Sequence, residues 1–100
     1  MFDLFSKLGG LKAKMDEVKG TLDALRITGE AGSGEVKVTV TGNRKICSIQ
    51  IEPHLVFPEK KEQVEELLET ALNRALDAAE KKAEEEMKAA GKDLLPGFPF

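Results

Sequence analysis

A chain of 100 residues with five Phe and neither Trp nor Tyr can build one small domain around aliphatic side chains, and so thin a core favours a second copy as a source of further burial. Its formal charge of −3 excludes a binder of nucleic acid held by bulk basicity, and a single cysteine, Cys47, excludes an intrachain disulfide. No stretch approaches the ~20 apolar residues of a membrane span, so a soluble, cytoplasmic protein with no membrane partner is expected.

From the N-terminus, Leu4, Leu8, Leu11, Met15, Val18, Leu22 and Leu25 recur at alternating spacings of four and three, the heptad seam of a helix over 1–25 that packs on another helix. Such a helix is roughly 30 Å long, more than three short strands can cover, so part of it should project beyond the sheet. With Leu8, Met15 and Leu22 at a and Leu11, Val18 and Leu25 at d, the bases Lys12, Lys19 and Arg26 fall at e and Lys7 and Lys14 at g. Basic groups thus flank the seam, while Asp3, Asp16, Glu17 and Asp23 take b and c. They could pair with Glu65, Glu66, Glu69, Glu80 or Glu84 of a packed helix, or line a cleft that meets phosphates.

The stretch Gly29-Glu30-Ala31-Gly32-Ser33-Gly34 invites a reading as a phosphate cradle. A cradle of that kind opens into a helix N-terminus and usually carries Lys followed by Ser or Thr. Here the glycines run into Glu35-Val36-Lys37-Val38-Thr39-Val40-Thr41, whose period of two is that of a half-buried strand, so they predict a turn. Three strands are expected over 25–52, at about 25–30, 35–41 and 46–52, with Gly42-Asn43-Arg44-Lys45 turning between the last two. Short connections imply an antiparallel meander. Val36, Val38 and Val40 share one face of the middle strand, and Cys47, Ile49 and Ile51 share one of the third, which places Cys47 near the core.

Pro58, followed by Glu59 and Glu62, opens a long helix over 58–90, with Val64, Leu67, Leu68, Ala71, Leu72, Ala75, Leu76 and Ala79 as its apolar stripe and Gly91 as its stop. Residues 80–86 read as a solvated charged arm, and 91–100 as a tail whose Leu, Pro and Phe residues cannot form a helix. His54 and Cys47 stand alone and make neither a zinc site nor a catalytic pair; consecutive Glu84, Glu85 and Glu86 diverge by about 100° each around a helix and cannot converge on one ion. No catalytic residue, metal or cofactor is expected. Charge is uneven along this order: five bases oppose four acids in 1–26, three oppose two in 27–51, and seven oppose twelve in 52–100.

The order helix, three strands, helix, together with Ile27-Thr28-Gly29-Glu30-Ala31-Gly32-Ser33-Gly34-Glu35, the third strand ending Ile49-Gln50-Ile51-Glu52-Pro53, the Ala-rich last helix and Leu95-Pro96-Gly97-Phe98, resembles the YbaB/EbfC family of bacterial nucleoid-associated proteins. The resemblance spans nearly the whole chain. It implies an α+β fold of order α-β-β-β-α, a homodimer with helical arms in a tweezer-like outline, and duplex DNA binding in the nucleoid without an enzymatic reaction. On that reading Lys7, Lys12, Lys14, Lys19 and Arg26 would meet backbone phosphates, with Arg44 and Lys45 as a separate patch. The alternative is a dimeric protein-interaction scaffold acting through its arms or its Leu94, Leu95, Phe98 and Phe100 tail.

Overall fold

The computed structural model describes residues 2–94, and side chains within 9–92. Helix α1 (Phe2–Ala24) leads into strands β1 (Ile27–Ala31), β2 (Val36–Val40) and β3 (Ile46–Ile51), and helix α2 (Lys61–Leu94) closes the order after two single turns of 3-10 helix at Pro53–Leu55 and Pro58–Lys60. The strands form one antiparallel sheet in the order β1-β2-β3. The α+β meander expected from the alternation is therefore present. Both strand turns are short enough to leave no other pairing open.

The glycine run is a turn, with Gly32, Ser33 and Gly34 at φ of 63°, 59° and 90° in succession. Glycine supplies that left-handed backbone at two of the three positions without a Cβ clash. Gly29 is different: it lies inside β1 opposite Val38, not in the connection where its spacing had placed it. A Cβ there would stand 2.3 Å from the Ala71 carbonyl oxygen and 2.4 Å from the Ala75 nitrogen. It is glycine because the helix backbone lies directly on the strand.

That close approach organises the main core. Ala71, Ala75 and Ala79 of α2 press onto Ala31, Val36, Val38 and Val40, with Leu55 sealing one end, and all eight are buried. Small side chains on the helix and β-branched ones on the strand let the two backbones meet at short range. Arg74 ties the helix to the sheet by donating to the Glu30 carbonyl at 2.7 Å.

Past Ala79, α2 leaves the sheet and runs beside α1, where Val18, Leu22 and Ala90 form a second, smaller core with Leu25 and Ala83 against it. The molecule is accordingly 67 Å long and only 22 by 16 Å across. Gly91 does not end the helix, which continues to Leu94. Contact of Ala90 with α1 sustains the helix through a residue of poor propensity.

Cys47 departs from expectation too, for it is exposed. Ser48 pairs with Thr39 and Ile46 with Val40, so Cys47 is the extra residue of a β-bulge, and Ile46 takes the apolar side in its place. The helix covers β1 and β2 but leaves the apolar side of β3 open. Ile46 and Ile49 are 52% and 46% exposed, and beyond them Val56 and Phe57 are 67% and 55% exposed.

Candidate nucleic-acid interface

The turn between β2 and β3 docks on the end of α1. The Gly42 N–H donates to the Leu22 carbonyl at 2.8 Å, and the Asn43 side-chain amide donates to the Lys19 carbonyl at 3.1 Å and to the Asp23 carboxylate. Thr41 shapes the turn, its hydroxyl accepting the N–H groups of Asn43 and Lys45 at 3.2 Å each. The bond from Gly42 reaches a carbonyl in the last turn of α1, where the helix has run out of its own i+4 donors. Arg26 adds to the cap, donating from one guanidinium nitrogen to the carbonyls of Asp23 and Leu25 at 3.0 Å each. A cation at this end also complements the negative pole of the helix.

One consequence is that bases far apart in sequence share one place. Strand register sets Ile27, Val40 and Ile46 in one row at the end of the sheet, so Arg26 and Lys45 flank that row at two strand spacings, about 10 Å. Lys19 is the α1 residue whose carbonyl the docked Asn43 bonds, and Arg44 follows Asn43 in the turn at φ 66°. Lys19, Arg26, Arg44 and Lys45 are all exposed. The turn that bears Arg44 and Lys45 therefore sits at the same end of the sheet as Lys19 and Arg26. The opposite end of the sheet carries Glu30, Glu35 and Glu52 against Lys37, which pairs with Glu30 at 3.9 Å. The fold thus separates charge along the strands.

The remaining bases lie elsewhere. Lys12 is exposed farther out on α1, and Lys14, half-buried, pairs with Glu17 of its own helix at 3.6 Å. The Lys7 side chain lies outside the described residues. Of the acids considered as partners for α1, Glu65, Glu66 and Glu69 stand on the part of α2 beneath the sheet, some 20 Å or more along the axis from Ala83, where α1 makes its contacts. Only Glu80 and Glu84 share its neighbourhood. They line a groove of about 480 Å³ with Asn43, Arg44, Met87 and Lys88.

Asn43, Gly42 and Lys88 were missed as contributors. Asn-containing turns signal a hairpin, and nothing in that signal shows that this one would sit on a helix end. His54 holds the two far turns together instead of serving a site, its Nε2 lying 2.6 Å from Glu35 Oε2. Among the described residues no group of three or more His, Cys, Asp or Glu could hold a metal ion, and no helix is long and apolar enough to cross a membrane.

Comparison with known proteins places this architecture. Residues 1–94 match the YbaB/EbfC DNA-binding family. A nucleoid-associated protein of Chlorobium phaeobacteroides is 37% identical over 96% of this chain and 90% of its own length. Another, from Flavobacterium johnsoniae, is 36% identical over 97% of this chain and 92% of its own. The crystal structure of an uncharacterized protein from Helicobacter pylori superposes with a TM-score of 0.79 at 26% identity, covering 86% of this chain and 90% of that one.

Proposed function

Because the chain belongs to the YbaB/EbfC DNA-binding family, a family of non-enzymatic nucleoid-associated proteins, we propose that it binds duplex DNA as a homodimer, chiefly through backbone phosphates, and so contributes to chromosome organisation or gene regulation. The observation that carries this reading is the convergence of Lys19, Arg26, Arg44 and Lys45 at one end of the sheet. An acidic chain can hold a polyanion where exposed cations are gathered locally, even with Asp23, Glu80 and Glu84 nearby. Lysine and arginine at an exposed turn neutralise phosphates and release counterions without reading a base edge. Lys12, with Lys7 and Lys14, would extend the same contact along the arm.

Titration of labelled duplex DNA across a range of salt tests this. Affinity should fall steeply, with a log-log slope of about −0.9 per neutralised phosphate, so that four cations from one copy give roughly −3.6. Unrelated duplexes should bind within a modest factor of each other. Absence of salt-sensitive binding at low ionic strength would replace this reading with that of an interaction scaffold.

The open apolar side of β3 supports the homodimer. Ile46 and Ile49 lie on the part of the apolar face that α2 leaves bare, and β3 is also an edge strand. A two-fold copy covers both liabilities at once. The parent should sediment as a dimer at micromolar concentration. Ile49→Asp, placed on a half-exposed side chain, should sediment as a monomer with its circular dichroism retained. A variant that stays dimeric would move the interface away from β3.

A further inference from the structure

Where the apolar side of β3 ends, a second apolar feature begins. Ile51, Leu55, Val56, Phe57, Pro58 and Val64 line a groove of about 390 Å³ between the end of β3, the 3-10 turns and the first turns of α2. Val56 and Phe57 are the most exposed large apolar side chains among the described residues. The sequence holds one segment of matching chemistry, Leu95-Pro96-Gly97-Phe98-Pro99-Phe100, which lies outside the described residues. Pro96 and Pro99 lack an N–H and bias the residues before them toward extended backbone, so this segment cannot shelter its Leu and Phe side chains in a helix. Apolar side chains that a helix cannot shelter need a groove made by something else.

Reach decides whose groove it is. Helix α2 is unbroken from Lys61, at the groove, to Leu94, where the segment begins. Its 34 residues hold those points about 50 Å apart. Six extended residues span at most ~21 Å, so residues 95–100 cannot return to the groove of their own chain. We propose that Leu95–Phe100 of one copy docks in the groove beside Phe57 of another copy, linking chains through a contact separate from the open side of β3. Phe98 or Phe100 would fill the groove against Val56 and Phe57, with main-chain groups left at its polar rim, where Lys61 and Glu65 stand 4.0 Å apart.

A full-length chain carrying the photoreactive p-benzoylphenylalanine at position 98 tests this directly, with the probe chain mixed with an isotopically labelled one. Irradiation should give products that join two copies, with the attachment mapping to Ile51, Val56 or Phe57 of the copy without the probe. Replacing Val56→Asp and Phe57→Asp together in the receiving chain should lower the yield about tenfold, the loss expected when an apolar contact worth a decade in affinity is removed. Both side chains are largely exposed, so this variant should keep its circular dichroism and its sedimentation as a dimer. Attachment within one chain, attachment elsewhere on the neighbour, or an unchanged yield overturns the proposal. Loss of the dimer in the double variant also overturns it, because the groove would then belong to the β3 interface. The Ile49→Asp variant and the salt titration report on that interface and on DNA separately.

Discussion

Gly29→Ala should destabilise the chain by more than about 3 kcal/mol, the range of large core disruptions, and leave it unfolded at moderate urea where the parent is native. The added methyl has nowhere to go. It would sit 2.3 Å from the Ala71 oxygen, 2.4 Å from the Ala75 nitrogen and 2.9 Å from the Ala75 Cα, all backbone atoms of a continuous helix that cannot rotate aside. Relief requires lifting α2 from β1, which opens a gap above Val36, Val38 and Val40 and forfeits their contact with Ala71, Ala75 and Ala79. Gly34→Ala provides the comparison. There φ is 90° and the closest atom to a new Cβ is the mobile Lys37 Cε at 3.4 Å, so the cost is backbone strain of order 1 kcal/mol. Urea unfolding followed by far-ultraviolet circular dichroism ranks the two. Equal losses would mean that the helix yields to the strand more readily than its packing implies.

Lys19→Gln, Arg44→Asn and Lys45→Gln combined should cut DNA affinity by roughly 100- to 1,000-fold near 0.1 M salt and flatten the salt slope by about 2.7 for each copy engaged. Asparagine is chosen at position 44 because φ is 66°, a conformation that it tolerates better than most side chains. Arg26 is left in place, since its guanidinium also caps α1. The variant should remain folded, because the hydrogen bonds that dock the turn come from Gly42 and Asn43. The loss should be similar for unrelated duplexes. A second triple variant, Lys7→Gln, Lys12→Gln and Lys14→Gln, removes the same charge from the outer part of α1. If the larger loss follows that variant, the principal contact lies along the arm and not at the sheet end.

Much of the fold was legible because it is written in local periods. Alternation over 36–40, the stripe from Val64 to Ala79 and the Pro58 start each reflect the geometry of a single element. What escaped depends on backbone detail or on distant contacts. The bulge at Cys47 shifts the parity of β3, and alternation read residue by residue carries no sign of an inserted position. Gly29 read as one more turn glycine because a cluster of glycines does not say which of them a helix presses upon. The docking of the β2–β3 turn on α1 is hidden for a similar reason. The turn that carries Arg44 and Lys45 is brought to the end of α1 by bonds from Gly42 to Leu22 and from Asn43 to Lys19 and Asp23, and no spacing rule encodes them.

The separation of the two buried clusters has a kinetic meaning. One cluster holds α2 on the sheet, the other holds α1 on the outer part of α2, and among the described residues none belongs to both. Among the described residues α1 packs on α2 through the small cluster of Val18, Leu22 and Ala90 with Leu25 and Ala83, so its amides should exchange with solvent by a partial opening that leaves the sheet intact. During such an opening Lys12 and Lys14 travel with the released helix, whereas Arg44 and Lys45 stay fixed to the strands. If these bases meet a polyanion, they would do so in two ways, one set rigid and the other on a tether that swings on its own timescale.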